Sequence, residues 1–132
     1  MPKPTSLLPG VNHFISLNQA VAMTTLYRSE KENILIPEDR DKGILPICET
    51  FDRGAFDYLL AEEGCMGIRL YYSMDDQLKV HIITVGVNAD GEDMLPSATT
   101  IASLAPTGGD NGIVEEGQRC PDDCPPDSPL NG

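Results

Sequence analysis

The chain has 132 residues, which is one domain at roughly 100–200 residues per domain. Its 9 Lys and Arg against 21 Asp and Glu leave a net charge of −12. That balance excludes the basic face a phosphate backbone requires. No apolar run reaches the ~20 residues of a membrane helix, so the composition is that of a small, soluble, acidic globular domain.

The opening Met1-Pro2-Lys3-Pro4-Thr5-Ser6-Leu7-Leu8-Pro9 lacks the apolar core of a secretory signal. A cytoplasmic location is therefore expected. Residues 1–12 read as an extended lead-in, because Pro2, Pro4 and Pro9 fix φ and remove backbone donors. Ser16-Leu17-Asn18-Gln19 fits a capping box, in which the serine oxygen accepts a backbone N–H and Gln19 reaches back. Leu17, Ala20, Val21, Met23 and Tyr27 share one broad face beyond it. The pattern predicts an amphipathic helix over residues 16–30.

Residues 30–43 are dominated by charge. Ile34-Leu35-Ile36-Pro37 inside them reads as a short edge strand ended by proline, and Gly43–Cys48 has the same character. A second helix follows. Asp52 is its N-cap, Phe51 is placed to staple onto Phe56, and Ala55, Phe56, Leu59 and Leu60 line one face. Glu62-Glu63-Gly64 closes it, with Gly64 at the position that tolerates positive φ.

Residues 66–74 alternate. Ile68, Leu70, Tyr72 and Met74 point one way and Arg69, Tyr71 and Ser73 the other. Asp75-Asp76-Gln77 signals a turn, and residues 78–87 form a second strand rich in β-branched residues. Ile82–Val87 is apolar on both faces, which predicts cover on both sides. A hairpin alone is marginal in water, so a third strand is needed. The candidates are residues 94–102 and 44–48.

From Ala105 the composition changes. Residues 105–132 hold five Pro, five Gly and six acids against the single base Arg119. Too little area is available there to offset ordering entropy, so this stretch reads as a disordered acidic tail acting as a tether or docking segment.

Four cysteines are present: Cys48, Cys65, Cys120 and Cys124. Cys48 and Cys65 lie in apolar surroundings and read as small hydrophobes. Cys120 and Cys124 are spaced C-x₃-C, unlike the C-x₂-C of redox and zinc-ribbon motifs. They are candidates for a tail disulfide or thiol pair. A zinc site would need Cys48 and Cys65 as further ligands, and no metal is assigned. Asn88–Asp93 has oxygen ligands at alternate positions, but its glycine is out of register with a calcium loop, and Asp90-Gly91 is ordinary turn chemistry. His13 and His81 belong to no ligand motif. A dyad of His81 with a cysteine stays open. No catalytic constellation, P-loop or dinucleotide fingerprint is present, and no cofactor is expected. Tyr71, exposed beside Arg69, is the candidate partner-binding pair; packing against a neighbouring strand is its alternative.

Gly64-Cys65-Met66-Gly67-Ile68-Arg69-Leu70-Tyr71, then Val85-Gly86-Val87 and the Cys-Pro-rich end, resemble small uncharacterised bacterial proteins. Those share a Gly-Cys-x-Gly-Ile-Arg-x-Tyr core, a Val-Gly-Val strand and a Cys-Pro tail. The resemblance implies a bacterial source and the hairpin, and makes the tail cysteines a feature of the type. It implies no activity.

The expected fold is α+β: two helices packed on a small, mainly antiparallel sheet with a central β-hairpin and a disordered C-terminal tail. The domains are an extended segment at 1–12, a single α+β domain at 13–104 and the acidic tail at 105–132. The expected function is a non-enzymatic protein–protein interaction module, acting through an acidic surface and a sheet edge. Its partner is another protein, basic in character, with no nucleic acid and no membrane; a homodimer through the sheet edge is a further reading. The alternatives are an acidic inhibitor or immunity-type protein for a basic toxin or enzyme, and a thiol or zinc protein using Cys120 and Cys124.

Overall fold

The computed structural model describes residues 13–96 and 112–132. The fold is α+β with two antiparallel sheets. The chain divides into two compact units, each assembled from separated segments. One takes Phe51–Ser73 and the described part of Ile82–Glu116; the other takes the described part of Val11–Thr50, Met74–His81 and Gly117–Gly132.

The first unit is built on helix α2 (Arg53–Ala61) and the greater part of a four-stranded sheet of β2 (Gly67–Met74), β3 (Val80–Val87), β4 (Asp93–Met94) and β5 (Ile113–Val114), of which Met74, Val80 and His81 fall in the other unit. Asp52 caps α2 by accepting the Gly54 N–H at 2.9 Å. The Phe51 and Phe56 rings meet edge-on at 5.6 Å, the expected staple. Gly64 takes φ +88°, which a residue with a Cβ adopts only at a cost. Strand β3 is central. It has β2 on one side, and on the other it pairs with β4 (Gly86 with Met94) and β5 (Thr84 with Val114).

Burial follows that centrality. Thr84, Val85, Gly86 and Val87 are all buried, as a strand apolar on both faces requires. Leu59 of α2 is 0% exposed, and full burial of such a side chain stabilises by about 1.5–3 kcal/mol. Gly86 permits the close approach: a Cβ there would stand 3.1 Å from Cys65 Sγ. At residues 88–93, Asn88 Oδ1 accepts the N–H groups of Asp90 and Glu92, so this segment is a hydrogen-bonded turn.

The second unit holds helix α1 (Leu17–Glu30), a 3₁₀ turn at Pro37–Asp39, and a two-stranded sheet of β1 (Cys48–Thr50) with β6 (Gln118–Cys120). The capping box is formed as expected. Ser16 Oγ accepts the Gln19 N–H at 3.1 Å, and Gln19 Oε1 accepts the Ser16 N–H at 2.9 Å. No residue of α1 is buried, against the expected core face. The reason lies on the helical wheel, where Leu26 projects opposite Leu17 and the apolar residues do not gather into one stripe. The 34–37 stretch, expected as an edge strand, pairs with no strand among the described residues: Pro37 starts the 3₁₀ turn, and Asp39 N–H reaches Ile36 O at 2.9 Å.

The reading of residues 105–132 as a disordered tail is corrected for its described part. Residues 105–111 lie outside the described residues, as do most of the 94–102 strand candidate and the 1–12 lead-in. Residues 113–114 and 118–120 are β5 and β6, and each pairs with a strand far away in sequence. Composition undercounted β6 because a buried charged residue helps to hold it. Arg119 lies directly opposite Glu49 in the β1–β6 register. Its side chain is 5% exposed and that of Glu49 0%. Nε of Arg119 donates to Val80 O at 2.8 Å, Nη2 to Gly43 O at 3.0 Å and to Ile44 O at 3.3 Å, and Nε stands 3.6 Å from Glu49 Oε1. One guanidinium thus ties β6 to β1, to the 43–44 loop and to the base of β3.

Removing one member of a buried pair strands the other, a loss of about 3–5 kcal/mol, whereas replacing both with apolar residues costs far less. Arg119→Met is expected to lower unfolding free energy by that amount in urea titrations, and Glu49→Leu on the same background to recover part of it.

Candidate functional site

Arg69 and Tyr71 lie two apart on β2 and share a face, as the alternation requires. Both reach over β3 to a single carboxylate on β4. Arg69 Nη1 bonds Asp93 Oδ1, and the Tyr71 hydroxyl donates to Asp93 Oδ2. The charge of Arg69 is thereby met inside the sheet, and Tyr71 keeps a partly exposed ring whose polar end is already engaged. The hydrogen bond to Asp93, followed by burial, raises the Tyr71 phenol above its ordinary range, because ionisation would set a second anion against the carboxylate. The same carboxylate, first through its hydrogen bond, raises Arg69. These side chains brace one face of the sheet.

The opposite face of β2 is where the structure departs from expectation. Leu70 is 52% exposed and Tyr72 83%, although the alternation gathers the apolar residues on this face. Burial is concentrated on β3 and thins outward: β2 is an end strand with β3 as its neighbour among the described residues. An end strand leaves half its N–H and C=O groups facing outward, ready to pair with another chain. Leu70 and Tyr72 share this face and make an exposed apolar strip along that edge, while Tyr71 lies on the braced face. Sequence reasoning found Tyr71 and passed over Leu70 and Tyr72. Period-2 alternation shows which residues share a face, not whether a layer lies over it.

The other singled-out residues sit elsewhere. Cys120 and Cys124 are joined in a disulfide, with Cα atoms 4.4 Å apart. Cys48 and Cys65 are free thiols, and Cys65 Sγ donates to Gly67 O at 3.3 Å. Among the described residues no three His, Cys, Asp or Glu side chains converge as metal ligands. His81, the second residue of β3, bonds to the turn closing the hairpin, its Nε2 2.8 Å from Asp75 Oδ2. Asp75 also accepts the N–H groups of Gln77 and Lys79, which shapes the turn. The His81 bond first, then the Lys79 N–H, lowers the Asp75 carboxyl below its ordinary range. A lowered carboxyl stabilises the fold above its unfolded pKa, and that contribution disappears as pH falls through the folded value. Along α1 and the turn that follows it, Met23, Leu26, Tyr27 and Ile34 line a shallow apolar groove of about 250 Å³, with Glu30 and Lys31 also lining it. The Tyr27 hydroxyl donates to Pro46 O at 2.7 Å.

Among the described residues no helix is long and apolar enough to cross a membrane. Comparison with protein-family models, curated proteins and solved structures finds no match to the chain.

Asp93→Asn removes the charge facing Tyr71. Ultraviolet titration of the tyrosines should then show one phenol moving to lower pH, with the folded spectrum kept. An unchanged titration curve would contradict the Tyr71–Asp93 bond.

Proposed function

We propose that this protein is a non-enzymatic interaction module that receives an extended segment of a basic protein along the open edge of β2. The observation that carries the reading is the exposed strip of Leu70 and Tyr72 on an end strand. Main-chain hydrogen bonds would supply affinity, and alternate side chains would set register and specificity. Arg69, Tyr71 and Asp93 act as the brace that keeps the strand flat against β3. The net charge of −12 steers a basic partner toward the domain and speeds encounter. The same charge opposes a second copy on the edge, which ranks a basic partner above the homodimer.

An inhibitor or immunity-type protein is a special case of this reading, in which the bound segment belongs to a toxin or enzyme. It differs in one observable: the bound partner loses its activity.

The test is affinity isolation from the native host at low salt, comparing the wild-type chain with Leu70→Lys and Tyr72→Lys. A basic protein should accompany the wild type and fall away as salt rises. Each substitution should weaken binding by about 30-fold or more, the effect of losing a ~2 kcal/mol anchor. Both positions are exposed, so the thermal midpoint should hardly move. Equal binding by wild type and both variants would overturn the assignment of the edge.

A further inference from the structure

We propose that Cys48, Cys120 and Cys124 form a thiol–disulfide exchange site, in which Cys48 displaces Cys124 from Cys120. The inference does not depend on the β2 reading. It rests on register. Cys48 is the direct cross-strand partner of Cys120 in the antiparallel β1–β6 pair. Directly opposed residues share a face, with Cα atoms about 4.5–5.5 Å apart. That separation lies inside the ~4.4–6.8 Å range over which a disulfide closes. Glu49 and Arg119, one position along, project to the other face and hold each other there, so the ion pair pins the register that opposes the two cysteines.

The three sulfurs are in the states an exchange needs. Cys48 is a free thiol and half-buried, Cys120 is disulfide-bonded and buried, and Cys124 is disulfide-bonded and exposed. Cys65, the other free thiol, is engaged with Gly67 O and has no such place opposite a disulfide. Beside the leaving cysteine, Asp122 stands 3.7 Å from Arg119 Nη1 and 3.9 Å from Lys79 Nζ, which tempers its repulsion of a departing thiolate.

The step balances within the chain. The Cys48 thiolate attacks Cys120 Sγ. The Cys48–Cys120 bond forms, the Cys120–Cys124 bond breaks, and Cys124 leaves as a thiolate that takes up the proton Cys48 lost. One disulfide and one thiol stand on each side, so no oxidant or reductant is consumed. The product differs in two ways. A cross-link that closed a short loop now joins β1 to β6 across most of the chain, which restricts the unfolded state more. An exposed nucleophilic thiol also appears at Cys124, beside the C-terminus, open to an external disulfide or electrophile.

The full chain, purified without reductant, is held at mildly alkaline pH and quenched with N-ethylmaleimide. It is then digested with trypsin and a protease cutting before aspartate, which separates Cys120 from Cys124. Peptide mass mapping should find a fraction with Cys124 alkylated and Cys48 linked to Cys120. Cys48→Ser should abolish both signals. Complete alkylation of Cys48 with none of Cys124 would overturn the proposal, as would Cys124 alkylation that persists in Cys48→Ser. Should Cys48→Ser fail to fold, Cys124→Ser is treated with oxidised glutathione. Folded protein that closes a Cys48–Cys120 bond supports the site, and folded protein that does not refutes it.

Discussion

The guanidinium of Arg119 is the constraint on which the second unit depends. Arginine carries five N–H donors in a rigid planar fork and is never deprotonated at biological pH. Buried, it must satisfy those donors, and here the acceptors are backbone carbonyls of Val80, Gly43 and Ile44 together with the Glu49 carboxylate. The acceptors come from three segments: the 43–44 loop, Glu49 of β1 and Val80 at the start of β3. Satisfying one side chain therefore fixes the position of β6, the course of the 43–44 loop and the base of the hairpin at once. Val80 N–H to Ile44 O at 2.8 Å completes the junction. Such a knot adds less net stability than an apolar core of equal volume would, since both charges are desolvated. What it provides is specificity: only one register of β6 on β1 brings Arg119 opposite Glu49.

That register has a chemical consequence. In an antiparallel pair, adjacent positions face opposite ways, so pinning Arg119 on Glu49 sets Cys120 against Cys48 on the other face. A structural ion pair and a sulfur cluster are thus two faces of the same three-residue ladder. The first unit obeys a different logic. Its centre is apolar, with Leu59, Val85 and Val87 buried, and its polar brace of Arg69, Tyr71 and Asp93 ties the flanking strands over β3. Cover is complete over Thr84–Val87 of β3 and gives out at β2, which leaves the apolar strip that the functional proposal uses.

Features that depend on near neighbours were legible in the sequence. The Ser16–Gln19 capping box, the Asp52 cap, the Phe51–Phe56 staple, the Gly64 helix end and the Asp75 turn each involve residues within one turn of each other, and local chemistry specifies them. The two-sided burial of β3 was legible because a run apolar on both faces has few other places to go. Strands β5 and β6 were not. Pieces of two and three residues carry no periodicity, and their partners lie far away in sequence. The contribution of Arg119 also runs against composition, since a charged residue in a Pro- and Gly-rich acidic stretch reads as solvated. For the candidate site, alternation correctly put Arg69 and Tyr71 on one face, but their shared carboxylate, Asp93, is a long-range partner that spacing does not reveal. The exposure of Leu70 and Tyr72 depends on what lies above the sheet, a tertiary fact with no local signature.

The central claim is that the C-terminal segment is an integral part of the fold, held by a buried arginine. Amide hydrogen exchange under native, non-reducing conditions tests it most directly. The account predicts that the β6 amide turned toward β1, at Arg119 or Cys120, exchanges as slowly as the buried amides of Thr84–Val87, while exposed Asp127 exchanges fast. Exchange of both Arg119 and Cys120 at the rate of an unstructured peptide would contradict it.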